Sequence, residues 1–358
     1  MRKKSFFLIL IGGLLVLLNR NLITYAEASS TISPDQNPNA EILYSVLKVK
    51  SEKEIDDSAS FFDLAAKPGE TITIKARIFN ASNEDIKVKS LPLTTFTTSN
   101  GEIAYSSSPP KGGFDVSLKK KFADIAKTSN SILVPKLGQV ETSLQFTVPK
   151  DTPNGVILGS WYFEKSSQVN AKEKKGLTIN NKYSYALAVK VTVNNEVTSP
   201  NLNLIEIKPS LKNYRKVINI EVQNDQPAIV SKLVFDAEVT EKGSDKVLYK
   251  NNKGEVTMAP NSNFSYPVFL GQEQLQPGKY TMHLKAKTTD PKWNSKSWKW
   301  EKDFQISSKQ ARTLNKTATS DPKQESNLYG IIIAVAILLV IIIVLIVWQI
   351  AKKKYQKR

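Results

Sequence analysis

The chain has 358 residues, a formal net charge of +17, one histidine and no cysteine. Without cysteine, and with a single histidine, the sequence excludes disulfide bonds, Cys–His catalytic pairs and metal sites built on two histidines. The length leaves room for two domains of ordinary size between the two terminal segments.

The first 28 residues have the pattern of a secretory signal peptide. Basic residues at positions 2–4 precede the apolar run FFLILIGGLLVLL, and Ala26-Glu27-Ala28 matches the small-residue cleavage pattern. We predict cleavage after Ala28; an uncleaved signal anchor is the alternative, which the Ala-x-Ala spacing disfavours. An exported chain without cysteine must be stabilised by its hydrophobic cores, which is typical of a bacterial surface protein.

Short runs of alternating apolar and polar residues follow, bounded by Gly, Pro, Asn or Asp. Such runs are typical of antiparallel strands with one buried face. They predict a mainly β protein with two tandem immunoglobulin-like β-sandwiches, at residues 41–195 and 200–306. Leu118 to Lys127 is a helical candidate. Examples of the runs are 72–78, 144–148, 183–193, 233–239, 264–270, 280–286 and 298–306.

The two predicted domains share a short repeated pattern. IKARIFN at 74–80 matches INIEVQN at 218–224 in its alternation and in its last residue, at an offset of 144. In both copies an alternating strand stops at an asparagine, a residue suited to a turn. Tandem sandwiches of one kind explain this echo, and convergent turn chemistry is the alternative.

Motifs for catalysis or for phosphate binding are absent from the sequence. His283 lies on the opposite strand parity from Met282 and Leu284, so we expect it to point to solvent. No G-x-S-x-G and no Gly-rich phosphate loop occurs, and acidic pairs such as Asp56-Asp57 are typical of loops. We therefore predict no enzyme activity, no cofactor and no metal site, although paired carboxylates leave hydrolysis open in principle.

Two features are candidate binding residues. Lys119, Lys120 and Lys121 form a basic run, and Trp293 lies in a predicted loop where an exposed indole can stack on a sugar or anchor a protein. Of the +17 charge, +3 falls in the signal region and +5 in the tail, which leaves +9 between them. That charge favours anionic polymers such as teichoic acids or lipid headgroups, with plain solubility as the alternative. We expect no nucleic acid partner, because no recognition motif occurs.

Residues 307–328 are polar and lack apolar periodicity, which predicts a flexible stalk. The next segment, 329–350, contains the uncharged run GIIIAVAILLVIIIVLIVW and is predicted to be a transmembrane helix. A buried core helix is the alternative.

Residues at the ends of this run predict the orientation in the membrane. Tyr329 and Trp348 occupy the expected interfacial positions. Lys352, Lys353 and Lys354 begin the basic tail 351–358, and basic residues favour the cytoplasmic side. We therefore predict a single-pass type I protein of the plasma membrane of a Gram-positive bacterium, with its sandwiches outside and in contact with lipid through the span.

An ordered set of segments resembles the WxL-interacting proteins of Gram-positive bacteria. The resemblance implies a non-enzymatic surface adaptor whose first domain binds peptidoglycan and whose second binds host components. It also implies WxL-domain proteins as partners, and the chain has no Trp-x-Leu sequence of its own. The segments that carry the resemblance are FFDL at 61–64, KPGETITIKARIFNASN at 67–83, NGEIAY at 100–105, FADI at 122–125, VP at 148–149, GVILG at 155–159 and the module from 201 to 298.

Three functions stay open at this point. The first is an adaptor that binds WxL-type surface proteins and peptidoglycan, and the second is an adhesin that acts directly on host extracellular matrix proteins. The third is a membrane-tethered cell-wall hydrolase that uses carboxylates. Release of soluble fragments from peptidoglycan would distinguish the hydrolase, and host binding that depends on Trp293 would distinguish the adhesin.

Overall fold

The computed structural model describes residues 43–106, 110, 112–166, 183–195, 197–271, 273–319, 337 and 348. β-Strands make up more than half of this part of the chain, which confirms the prediction of a mainly β protein. All of the strands belong to one compact unit that begins at Tyr44. The finer assignment to the immunoglobulin-like class stays a prediction.

The first sandwich is built from short and medium-length strands with one helical turn. These elements are β1 (Tyr44–Val49), β2 (Phe62–Ala66), β3 (Thr71–Asn80), β4 (Ile86–Thr94), β5 (Phe96–Thr97), β6 (Ile103–Ala104), α1 (Phe122–Ile125), β7 (Ala126–Thr128), β8 (Ser131–Val134), β9 (Gln139–Thr147), β10 (Gly155–Lys165) and β11 (Ser184–Val193). Its two main sheets have the strand orders β1-β3-β9-β7 and β2-β11-β10-β4-β8. Strands β2 and β11 run parallel.

The core of the first sandwich lies between these two sheets. Ile72, Ile74 and Ile78 of β3 are buried there, and the polar residues between them are exposed, as the alternating pattern predicts. Trp161 is fully buried in the same core, and its indole nitrogen donates a hydrogen bond to the Ser90 hydroxyl over 2.8 Å. The indole therefore packs inside the sandwich with its polar group satisfied.

The second sandwich has two main sheets and a C-terminal helix. Its elements are β12 (Leu202–Lys212), β13 (Arg215–Asn224), β14 (Val230–Glu241), β15 (Val247–Met258), β16 (Ser262–Phe269), β17 (Gly278–Thr288), a 3-10 turn (Pro291–Trp293), β18 (Ser297–Ile306) and α2 (Ser308–Thr317). The sheets have the strand orders β12-β13-β16 and β15-β14-β17-β18. Tyr280, Met282, Leu284 and Ala286 of β17 face the core, as their shared parity predicts.

The repeated sequence pattern corresponds to a repeated structural device. Asn80 ends β3 and Asn224 ends β13, and both side chains are buried. The Asn80 amide donates to the backbone oxygen of Glu84 over 2.8 Å, and that of Asn224 donates to Ala228 over 2.7 Å. Each amide also donates to the end of a strand in the opposite sheet, at Val134 and Ala259. One buried asparagine thus fixes the same turn in both sandwiches.

Strand β10 is buried on both faces over most of its length. On one face Ile157, Trp161 and Phe163 pack into the core of the first sandwich. On the other face Val156 and Leu158 belong to a smaller apolar cluster that includes residues of the second sandwich. This two-sided burial explains why β10 carries apolar residues on both faces, which departs from the alternation of half-buried strands; Ser160 is its buried polar residue.

Backbone hydrogen bonds join the two sandwiches beside the start of β10. The Val156 amide donates to the carbonyl oxygen of Pro227 over 2.7 Å. The Thr257 amide donates in the same way to Gly101 over 2.8 Å. Gly155 allows the first contact, because its φ is +138° and a Cβ at this position would lie 2.5 Å from the Pro227 ring.

Two local predictions are wrong. The predicted flexible stalk of 307–328 begins instead with α2, which has a capping box of Ser307 and Gln310 and buries Ala311 in the core of the second sandwich. A short capped helix with one deeply buried alanine has too few apolar residues to show periodicity. In the helical candidate Leu118 to Lys127, only α1 is helical, because the chain then pairs with β9 as β7.

The predictions for the two ends lie outside the described residues. These are the signal peptide, Tyr329 and most of the 329–350 segment, and the basic tail with Lys352, Lys353 and Lys354, whereas Trp348 is described as a single helical position. Within the described ranges, no helix is both long enough and apolar enough to cross a membrane.

We predict that Asn80→Ala and Asn224→Ala each destabilise the protein by about 1–3 kcal/mol, because each leaves buried backbone oxygens without a donor. Urea unfolding followed by circular dichroism measures this change. Asn252→Ala, at an exposed position of β15, is the matched control and should leave stability unchanged. Equal stability of all three variants would contradict the role assigned to the buried amides.

We predict that Gly155→Ala opens the junction, because the added methyl group collides with Pro227 and the residue must hold a positive φ. Hydrogen exchange of the Val156 and Thr257 amides should speed up by about tenfold or more. Gly254→Ala is the control, since the nearest atom to its Cβ lies at 4.0 Å. Unchanged exchange at both amides in Gly155→Ala would show that glycine is not required here.

Candidate functional site

A cavity of about 530 Å³ lies where the two sandwiches meet, and we call it the junctional cavity. The first sandwich contributes Thr95 and residues 117–120, 151–153 and 155–158. The second contributes residues 225, 227, 260 and 261. Two of the three lysines in the predicted basic run, Lys119 and Lys120, line this cavity. Both sandwiches are therefore needed to form it.

The loop that carries the lysines is held in place from both sides. The Ser117 amide and hydroxyl both donate to the Asp115 carboxylate, which forms a local turn. That carboxylate also accepts from the Gln223 side chain over 3.0 Å. Asn261 donates to the Ser117 hydroxyl over 3.2 Å. The second sandwich thus fixes a loop of the first.

The charged residues that line the junctional cavity balance in number, two lysines against two aspartates, but they are not paired one to one. The Lys120 ammonium lies 2.6 Å from the Asp151 carboxylate, and the hydrogen bond from Lys120 lowers the pKa of Asp151. The Asp225 carboxylate accepts hydrogen bonds from the side-chain amides of Asn201, Asn203 and Gln226. Lys119 is exposed and forms no ion pair with any described residue. Among the described lining residues, Lys119 is therefore the cation without a direct ionic partner.

A buried hydroxyl in the cavity wall has no hydrogen-bond partner among the described residues. Thr152 is 8% exposed, and its hydroxyl group neither donates nor accepts a hydrogen bond among the described residues. Thr95, by contrast, donates to the carbonyl oxygen of Leu158 over 3.1 Å. An unpaired buried hydroxyl is costly and is uncommon in folded proteins.

The remaining predicted site residues lie elsewhere. The Lys121 ammonium sits over the ring of Phe114, 5.5 Å from its centroid, and does not line the junctional cavity. Trp293 ends the 3-10 turn and is half-buried against the core of the second sandwich. Its indole nitrogen donates to the carbonyl oxygen of Ile229 over 3.2 Å. Trp293 does not line the cavity either.

Sequence analysis missed several residues of this site. Thr152 lies in the Pro/Gly turn before β10, and Asp225 and Asn261 lie in turns of the second sandwich. A polar residue inside a turn carries no local signal for a cavity, because turns are rich in such residues. The acidic residue Asp151 next to Thr152 is equally ordinary in a turn. Their convergence depends on contacts between the sandwiches.

The described residues contain no grouping typical of a metal site. No group of three or more His, Asp or Glu side chains is placed to hold a metal ion within the described ranges. His283 lies on the outer face of β17, with its ring 3.7 Å from the Glu301 carboxylate and 37% of its side chain exposed. A second, more open cavity near β2 is lined by charges such as Lys53 and Glu70, which pair with each other.

Several solved structures resemble the chain at low sequence identity. The chaperone DraB from E. coli is 11% identical with a TM-score of 0.29, over 74% of this chain and 97% of that chain. The class 5 fimbriae chaperone CfaA is 13% identical with a TM-score of 0.30, over 72% of this chain and 99% of that chain. TM-scores this low carry no argument about function.

Two family models match the described sandwiches. The WxL Interacting Protein peptidoglycan binding domain matches residues 44–165, and the WxL Interacting Protein host binding domain matches residues 174–316. No curated protein sequence matches the chain. Together the two models cover well over half of the chain, and they occur in the order that the sequence resemblance implies. The chain belongs to the WxL-interacting protein family.

Proposed function

We propose that this chain is a non-enzymatic adaptor of the Gram-positive cell surface, which binds peptidoglycan and holds WxL-type proteins. The observation that carries the proposal is that family models for a peptidoglycan binding and a host binding domain match two sandwiches of one compact unit. Both models describe binding domains, and this supports a role in binding over a role in catalysis.

The junction between the sandwiches supports the adaptor role. Two binding domains joined by a flexible linker meet their ligands at an effective concentration that depends on linker length. Here the Val156–Pro227 and Thr257–Gly101 hydrogen bonds join the two sandwiches directly. A partner on one sandwich is then held at a fixed distance from peptidoglycan bound to the other, without the entropic cost of ordering a linker.

Membrane anchoring is part of the same proposal. The predicted signal peptide and the predicted span at 329–350 support a single-pass protein of the plasma membrane, with the sandwiches outside. The charge of +9 between the signal region and the tail supports attraction to anionic wall polymers. The adaptor then acts where the membrane meets the wall.

Direct adhesion to host matrix is the second candidate function. The match of residues 174–316 to a host binding domain favours it. Trp293 lies in the matched region, and part of its ring is exposed beside the Lys292 ammonium, 5.0 Å from the ring centroid. Burial lowers the pKa of Lys292, aided by the positive charge of Lys190.

We predict that the full-length protein, purified in detergent, sediments with peptidoglycan sacculi and that high salt does not release it. High salt screens ionic attraction beyond a few ångströms, whereas specific short-range contacts persist. A WxL-domain protein added to the mixture should sediment only when the chain is present. Beads coated with an anionic polymer are the control, and the protein should dissociate from them at high salt. Failure to sediment, or full release by salt, would contradict the adaptor proposal.

In the adhesin alternative, Trp293→Ala should weaken binding to immobilised host matrix proteins by about tenfold or more, because aromatic anchors dominate such interfaces. Trp293→Phe keeps an aromatic ring and is the matched variant, which should retain most of the binding. Surface plasmon resonance measures both affinities, and circular dichroism checks the fold. If Trp293→Ala binds with wild-type affinity, Trp293 is not part of a host-binding site.

A further inference from the structure

We propose that the junctional cavity binds a short aliphatic peptide that ends in a carboxylate. This inference rests on the proposed function and deepens it, since peptidoglycan carries such peptides as its stems. It assigns recognition to the peptide rather than to the glycan strand, and it places the site between the sandwiches.

The size and the apolar lining of the cavity suit a peptide. Its volume of about 530 Å³ lies in the range of small-ligand sites. Apolar residues line much of the wall, namely Leu118, Ile157, Leu158, Pro153, Pro227 and Pro260. Aliphatic walls of this kind accommodate small aliphatic side chains without leaving polar groups unpaired.

The lining argues against a sugar ring as the main ligand. None of the described residues that line the junctional cavity is aromatic. Protein sites for sugars typically place an aromatic face against the C–H groups of the ring, because that face is both apolar and polarisable. A peptide does not need such a platform.

The unpaired cation suits a terminal carboxylate. Lys119 forms no ion pair among the described residues, whereas Lys120 is paired with Asp151. The Asp225 carboxylate accepts hydrogen bonds from three neutral side-chain amides and forms no ion pair with Lys119 among the described residues. A carboxylate beside the Lys119 ammonium gains a charge-assisted hydrogen bond, which is stronger than a neutral one.

Two further groups suit the amide backbone of a peptide. The buried Thr152 hydroxyl has no protein partner among the described residues and can pair with a peptide group after rotation about its side-chain bond. Asn261 is fixed by donating to the Ser117 hydroxyl and to the Asp225 backbone oxygen. Its side-chain oxygen accepts no hydrogen bond from described residues and suits a peptide N–H.

The test titrates the full-length protein in detergent with three soluble probes. These are a muropeptide that carries its stem, the same stem peptide alone, and the disaccharide without peptide. Isothermal titration calorimetry should show binding of the first two probes and not of the third. Intact sacculi are sedimented in parallel with the same preparation.

Variants then locate the site. Lys119→Gln and Thr152→Val should each weaken muropeptide binding, the first by about tenfold or more because a charged hydrogen bond is lost. Lys121→Gln and Thr142→Val are the matched controls, because both positions lie outside the cavity lining, and they should bind like the wild type. Lys119 is exposed and Lys121 is half-buried, so we expect both lysine variants to fold, and circular dichroism checks this.

The outcomes separate this inference from the function on which it rests. If the protein sediments with sacculi but the disaccharide binds as well as the muropeptide, recognition of the peptide is overturned and peptidoglycan binding stands. If Lys119→Gln and Thr152→Val both bind the muropeptide like the wild type, the junctional cavity is overturned as the site. If the protein does not sediment with sacculi at all, both the site and the proposed function are overturned.

Discussion

Burial of β10 on both faces is the constraint on which the rest of the structure depends. One face completes the core of the first sandwich around Trp161, and the other face packs towards the second sandwich through Val156 and Leu158. A strand in this position needs apolar residues without alternation, and it needs glycine where a neighbour comes close. At Gly159 an added Cβ would lie 2.1 Å from the ring of Phe122, so the helix α1 also depends on this strand.

The same constraint creates the candidate site. Because the start of β10 is hydrogen-bonded to the loop at Pro227, the turn before the strand and the turns of the second sandwich enclose a common space. The loop with Lys119 closes that space and is held by Asp115, Gln223 and Asn261. A junction that is hydrogen-bonded and apolar therefore supports both parts of the account: a fixed relation between two binding domains, and a cavity that neither domain forms alone.

Local pattern was sufficient to predict the strands but not their association. The inward residues of β3 and β17 follow from period-two alternation, and the repeated asparagine of the two sandwiches is visible as an echo in the sequence. The hydrogen bond from Val156 to Pro227 joins residues that are distant in the sequence. It is made by backbone atoms, so no pattern of side chains in the sequence indicates it. Helix α2 was missed because its attachment depends on a capping box and on Ala311 rather than on an apolar stripe. Lys119 and Lys120 were predicted as binding residues from charge alone, without Thr152 or Asn261.

The most direct test of the central claim is hydrogen exchange of the full-length protein with and without soluble peptidoglycan fragments. Ligand bound in the junctional cavity slows the opening of the backbone that encloses it. The account predicts protection concentrated in the segments of both sandwiches that line the cavity, namely 117–120, 151–158, 225–227 and 260–261. Protection confined to the outer strands of one sandwich, or no protection by fragments that bind, would contradict it.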